Sequence, residues 1–268
     1  MKTKLLITVK TYPSVSGKYE EIVCTAGITE DGKLIRIYPL KYRELPYETQ
    51  FKKYDIIEID LVKSKSDYRP ETFTPRSIEP EFKIIKSIGT EGNWRERKKL
   101  VLKDVKFSFD ELIKLAKNKS NPVSLAVYKP NKILDFKWTE VSGDWDKKKL
   151  SMLQQLNIFD KKRNVIRKLP YKFVYVIEDE SQNKRTLMIE DWEIGQLYWR
   201  QLGKYEGDEH AALHDVRKKY FDEFVAKKEL YLFLGTTRLN HFTSKNPFMI
   251  IGVFYPPKTT QEELSFNS

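Results

Sequence analysis

Short apolar runs closed by turn-forming residues dominate the first ninety positions. Leu5-Leu6-Ile7-Thr8-Val9 is β-branched and apolar, and Tyr12 to Gly17 supplies turn chemistry after it. Ile22 to Ile28 follows, and Thr29-Glu30-Asp31-Gly32 carries an Asp-Gly hairpin signal into Lys33 to Tyr38. In that strand Leu34, Arg36 and Tyr38 share one face, while Ile35 and Ile37 share the other. Asp55 to Val62 alternates at its centre, and Phe82 to Ile88 makes a fifth candidate strand. Five short strands over about 90 residues predict a small barrel or a strongly curled sheet.

The period then lengthens. Arg95 to Lys103 predicts a short helix, and Ser108-Phe109-Asp110-Glu111 is a capping box that opens a helix running to Lys117. Leu125 to Tyr128 and Ile133 to Trp138 read as strands, and 144–156 as a helix with acidic residues at its start. Tyr171 to Ile177 and Arg185 to Ile189 form a hairpin around a polar turn. Helices are expected from Asp191 towards Gln201 and from Asp208 towards Lys227. Strands Leu230 to Leu234 and Phe248 to Tyr255 come last, Pro256-Pro257 ends the final strand, and the 261–268 tail is expected to fray. No internal repeat is visible in the sequence.

Composition narrows the class. Of 268 residues, 40% are hydrophobic and 13% aromatic, which allows a substantial core and argues against disorder. No stretch approaches the ~20 apolar residues of a membrane helix, so no membrane partner is expected. A single cysteine, Cys24, rules out an internal disulfide and fits a cytoplasmic setting. The net charge is +11, and it is uneven: 97–172 holds 20 basic and 8 acidic residues, the remainder 29 and 30. A localised cationic surplus is what binding to a phosphate backbone requires. Lysines spread for solubility would give the same count.

Ile22-Val23-Cys24-Thr25-Ala26-Gly27-Ile28 with Gly32-Lys33-Leu34-Ile35-Arg36 resembles the opening of dual-OB-type domains. Tyr54 to Ile59 and Arg69-Pro70-Glu71 stand where that family carries a further strand and a polar Pro-Glu motif, and Thr72 replaces its Asn. The resemblance spans residues 5–80. It implies paired oligonucleotide-binding barrels and a nucleic-acid role, in the setting of prokaryotic conflict or mobile-element systems. The phrases at 169–173 and 190–193 resemble uncharacterised prokaryotic proteins. The expected architecture is α+β: an OB-like small β-barrel over 1–90, a basic α+β connecting region over 91–168, and a mixed α/β C-terminal domain over 169–268.

Basic and aromatic residues interleave in a way that suits nucleic acid, since rings stack on bases while Lys and Arg follow phosphates. The candidates are Arg36, Tyr38, Lys41, Tyr42, Arg43 and Arg69 in the first third. Trp94, Arg95, Arg97, Lys98, Lys99, Lys147, Lys148, Lys149, Lys161, Lys162, Arg163 and Arg167 follow in the basic segment. Arg36 is equally compatible with a structural ion pair to Glu71 or Asp55. Tyr68 and Arg69 flank Pro70 and belong to the same basic-aromatic pattern. Two rival chemistries have the right residue types. Glu178, Lys184, Asp191 and Glu193 supply the carboxylates and lysine of a metal-dependent nuclease. His210 and His214, four apart on a helix, form a workable metal pair. Phosphate loops, dinucleotide fingerprints and nucleophile elbows are absent, and no cofactor is expected. The expectation is a nucleic-acid binder without catalysis, with a basic docking surface for a protein partner as the remaining alternative.

Overall fold

The computed structural model describes residues 2–16, 20–77, 80–148, 150–151 and 165–258. In the first unit, β1 (Lys2–Lys10) pairs along Leu6–Lys10 with β4 (Thr25–Ile28) and along Lys2–Leu6 with β6 (Asp55–Lys63). β5 (Leu34–Ile37) joins β4 antiparallel and β7 (Thr72–Pro75) parallel, and β7 returns to β6. The order β1-β4-β5-β7-β6-β1 is therefore a closed five-stranded barrel. A hairpin, β2 (Ser14–Ser16) and β3 (Glu20–Ile22), lies between its first two strands. Leu5, Ile7, Ile35, Ile37, Ile57, Ile59 and Phe51 fill it.

Two sequence expectations change here. The strand closing the barrel is β7, while 82–88 supplies only β8 (Lys83–Ser87), an exposed edge strand on β6. Within the expected turn at 12–17, Ser14–Ser16 instead form β2, paired antiparallel with β3. The helix expected over 144–156 falls partly outside the described residues, as do Lys149, Lys161, Lys162, Arg163 and the 261–268 tail.

After α1 (Glu91–Val101) come β9 (Val105–Lys106) and α2 (Phe109–Lys117), the latter capped by Ser108 Oγ accepting from Glu111 N at 3.1 Å. The C-terminal sheet runs β11 (Lys132–Glu140), β12 (Tyr171–Glu178), β13 (Lys184–Ile189), β15 (Phe248–Phe254), β14 (Tyr231–Thr236), β10 (Leu125–Tyr128), β9. β10 and β11 are consecutive, separated by 129–131, and they stand at opposite sides of the sheet, so the chain itself joins its flanks. Taking β10–β11 as one bent strand, the connectivity repeats that of the first barrel, down to the parallel β13–β15 pair. Between β13 and β14, α3 (Trp192–Lys204) and α4 (Glu209–Arg217) pack Ile194, Tyr198, Leu213 and Val216 against Phe173, Tyr175 and Ile177. The helix then runs through a wide turn, Lys218–Glu223, into Phe224–Lys227.

A third cluster joins the two units. Leu6, Val9, Ala26, Ile28 and Tyr54 pack against Leu125, Val127, Tyr231, Phe233, Ile251 and Phe254. β1, β14 and β15 thus lie between two cores, with successive side chains feeding each in turn. That is why they read as continuous apolar runs rather than alternating ones.

Candidate nucleic-acid interface

In each unit the chain leaves its fourth barrel strand through a loop before entering the fifth. These loops, 64–71 and 237–247, meet. Asp67 organises the first: its carboxylate accepts from the backbone N–H of Arg69 at 3.0 Å and from the Arg69 guanidinium at 2.6 to 3.1 Å. Burial raises the Asp67 pKa, but the Arg69 bonds outweigh it and hold the carboxyl below its usual range. A remaining guanidinium nitrogen donates to the Thr236 carbonyl, fastening the loop to the end of β14.

Tyr68 is thereby turned outward. Its ring stacks on Phe242, centroids 5.1 Å apart and planes 19° apart, and its hydroxyl donates to the Arg238 carbonyl at 2.6 Å. Buried His241 supports both rings edge-on, its Nδ1 2.7 Å from Thr236 Oγ1, and burial lowers its pKa. Tyr68 stays 46% exposed, Phe242 38% and Leu239 83%. Lys65, Arg238 and Lys245 on the same loops are exposed, whereas Asp67 and Glu71 spend their carboxylates on internal bonds. The end of α2 lies alongside, through the Thr236 N–H bond to Ser124 O and the Val123 N–H bond to Leu115 O, adding exposed Lys117 and Lys119. Exposed rings beside cations with no carboxylate partner among the described residues offer stacking surface and phosphate contacts together.

The predicted residues divide into several groups. Arg36 is not a surface group: at 2% exposure its guanidinium donates to Thr72 Oγ1, Ser124 Oγ and Ser124 O at 2.9 to 3.1 Å, within the junction. Arg69 is likewise consumed, and Tyr42 is buried with its hydroxyl donating to Phe51 O at 2.5 Å. Tyr38 is half-buried at a cis peptide with Pro39, and Lys41 pairs with Glu44 at 3.5 Å. Arg43 pairs with Glu21 at 2.6 Å, and Glu21 also accepts from the Ile166 N–H, which sets Arg43 beside Arg167. Arg167 lies over the Trp199 ring at 5.6 Å. Trp94 packs on Tyr54, Phe254 and Tyr255, and Arg97 covers the Tyr54 ring at 3.9 Å. Arg95, Lys99, Lys147 and Lys148 are exposed and Lys98 half-buried. Of the predicted residues, Arg69 lies on the loops that carry the Tyr68–Phe242 pair.

Tyr68 stood in the sequence beside Arg69, but Phe242 and Leu239 were missed. The signal was present: Leu239 and Phe242 are large apolar residues inside a polar loop between two apolar strands.

The nuclease set does not assemble. Glu178 and Lys184 face each other at the turn of the β12–β13 hairpin, where Glu178 also pairs with Lys132 at 3.4 Å. Asp191 and Glu193 lie beyond the other end of β13, a strand that itself spans about 17 Å. His210 and His214 have ring centroids 6.2 Å apart on an exposed helix face, and no group of three metal-ligating side chains occurs among the described residues. No helix among the described residues is long and apolar enough to cross a membrane.

Asp191 and Glu193 instead line a cleft of about 670 Å³ between the units, with Lys10, Lys52, Lys53, Trp192, Arg200 and Tyr255. Asp191 caps α3, accepting from the Glu193 N–H at 3.1 Å. Lys53 Nζ sits 2.8 Å from Glu193, 3.5 Å from Asp191 and 3.2 Å from Val253 O. Burial pushes Asp191 up to about 6 against the pull of Lys53. Burial also works against the Lys53 charge, but Asp191 and Glu193 outweigh it and hold its pKa well above the usual lysine value.

Family models described as "Domain of unknown function (DUF8758)" and "Domain of unknown function (DUF8757)" match residues 1–103 and 105–268. No curated protein matches the chain. Among solved structures it is similar to a murine DNA-binding protein bound with double-stranded DNA, at 9% identity and TM-score 0.33 over 97% of each chain. It is also similar to the tetrameric p202 HIN2, at 6% identity and TM-score 0.32 over 97% of this chain and 92% of that one.

Proposed function

The chain belongs to the DUF8757 family, and we propose from its own geometry that it binds nucleic acid at the pole where loops 64–71 and 237–247 meet. The observation that carries the reading is the exposed Tyr68–Phe242 stack amid Lys65, Arg238 and Lys245. The loop after the fourth strand is one that OB-type barrels use to grip oligonucleotides. Exposed ring faces favour unpaired bases, because a paired duplex keeps its bases stacked on one another. Single-stranded DNA or RNA is therefore the favoured ligand, and the protein acts as a recognition module, in line with the nucleic-acid role that resemblance to dual-OB-type domains implies.

Fluorescence anisotropy with single-stranded, duplex and RNA probes across a salt series tests this. Single strands should bind without divalent metal, with an affinity that falls steeply as salt rises. Tyr68→Ala and Phe242→Ala should each weaken binding by about 1–3 kcal/mol, the worth of one stacked base. Equal affinity of both variants and the parent would sink the assignment of this surface.

A further inference from the structure

The cleft between the units carries more positive charge than its own carboxylates absorb. Lys53 occupies Glu193 and Asp191, and Lys219 pairs with Glu223 at 2.6 Å. Lys10, Lys52 and Arg200 also line the cleft, and none of the three is paired with a carboxylate among the described residues. Lys10 Nζ donates to Tyr42 Oη at 3.1 Å and to Phe51 O at 3.2 Å, and it lies 4.3 Å over the Tyr42 ring and 5.2 Å from that of Trp192. The apolar wall is built as well: Trp192 is held edge-on against Tyr42 at 5.3 Å, and Tyr255 stacks on Phe224 at 4.0 Å. A volume of about 670 Å³ suits a small molecule of nucleotide size.

We propose that this cleft binds a nucleoside phosphate, its phosphate on Lys10, Lys52 and Arg200 and its base against Trp192 and Tyr255. The phosphate comes either from a free mononucleotide or from the 5′ end of a strand, since both present the same terminal group. Fixed cations at a partly enclosed site recognise a phosphate through charge-assisted hydrogen bonds. The proposal is independent of the Tyr68–Phe242 reading. Lys52 and Lys53 precede β6 and loop 64–71 follows it, a separation of about 30 Å along a nine-residue strand.

Lys10 also sets a pH dependence. The charged groups acting on it are Glu193, Asp191 and Asp55, which favour its charge, and Lys53, which opposes it. Burial dominates and lowers its pKa to about 8. The cationic form holds the phosphate, so affinity is full below that pH and declines as pH rises through it.

Isothermal titration calorimetry on the full chain, with ADP as probe and adenosine as control, tests the proposal. ADP should bind saturably and adenosine should not. Lys10→Met should weaken ADP by about tenfold or more and abolish the decline above pH ~8. Arg200→Gln changes an exposed side chain, so the fold should survive, and it should also weaken ADP severalfold. Tyr68→Ala should leave ADP affinity unchanged. A Lys10-dependent preference for 5′-phosphorylated over 5′-hydroxyl oligonucleotides identifies a strand end as the source, and its absence beside ADP binding identifies a free nucleotide. No saturable ADP binding at about 10 mM, or binding indifferent to both Lys10→Met and Arg200→Gln, overturns the proposal.

Discussion

Arg36 shows how a side chain read as a contact to ligand becomes a contact between parts of the protein. Alternation puts Ile35 and Ile37 inside the first barrel and Arg36 outside it. Outside the barrel, however, is where the second unit packs. The guanidinium meets Ser124, whose own N–H and hydroxyl donate to Glu71 at 2.8 and 2.7 Å, so Glu71 is joined to Arg36 through one serine. Burial lowers the Arg36 pKa from its usual value. Arg36→Met should destabilise the protein by about 3–5 kcal/mol in urea unfolding, because it leaves Glu71 and Ser124 without their cation. Oligonucleotide affinity of the folded variant should match the parent; a selective loss of affinity with stability intact would reinstate Arg36 as a ligand contact.

Among the elements, α3 carries both its own unit and the junction. Asp191 caps it, Ile194 and Tyr198 enter the C-terminal core, and Trp192 reaches the core of the first barrel. Gly195 lets it approach the β1–β2 connection: a Cβ there would lie 2.3 and 2.5 Å from Tyr12 ring atoms. The Tyr12 ring cannot retreat easily, since its hydroxyl donates to Arg167 O at 2.7 Å and accepts from Trp199 Nε1 at 2.8 Å. Helix propensity alone favours Gly195→Ala by about 1 kcal/mol, while overpacking costs about 1–3 kcal/mol. Thermal unfolding should therefore show a lowered Tm, and a raised Tm would mean that propensity wins and the contact is loose. Elements differed in legibility. The uninterrupted apolar runs of β1, β14 and β15 announce burial on both faces. β7 was hidden because Thr72-Phe73-Thr74-Pro75 is polar and ends in proline, and pairing with β5 and β6 supplies what its own propensity lacks.

At the scale of the molecule, the two units share a core rather than a linker. Leu6, Val9, Ala26 and Ile28 are buried only because Val127, Phe233, Ile251 and Phe254 cover them. Gly252, whose added Cβ would lie 3.1 Å from Val9, marks how closely β15 approaches β1. Urea unfolding of the whole chain should give one transition, coincident by far-ultraviolet circular dichroism and tryptophan fluorescence. Residues 1–103 alone should lack that cooperative transition. Two separated transitions in the full chain would show that the units fold independently and that the shared cluster contributes little.

Periodicity, turn chemistry and caps are local, and they were readable from the chain: most strands, the Ser108 cap, the helices from Asp191 and Asp208, and a cationic surplus in the middle. The repeat of connectivity was not, because β10–β11 and β1 share pairing partners rather than residues, and hydrogen-bond ladders are indifferent to side-chain identity. Nor does charge along the chain dictate charge in space. Arg36, Arg69 and Lys53 are strongly basic residues that packing turned inward, whereas Tyr68 and Phe242, ordinary core types, were left in water by two loops that meet from 170 positions apart. Which side chains face a partner follows from what else the fold has already covered, and that is settled by long-range contacts.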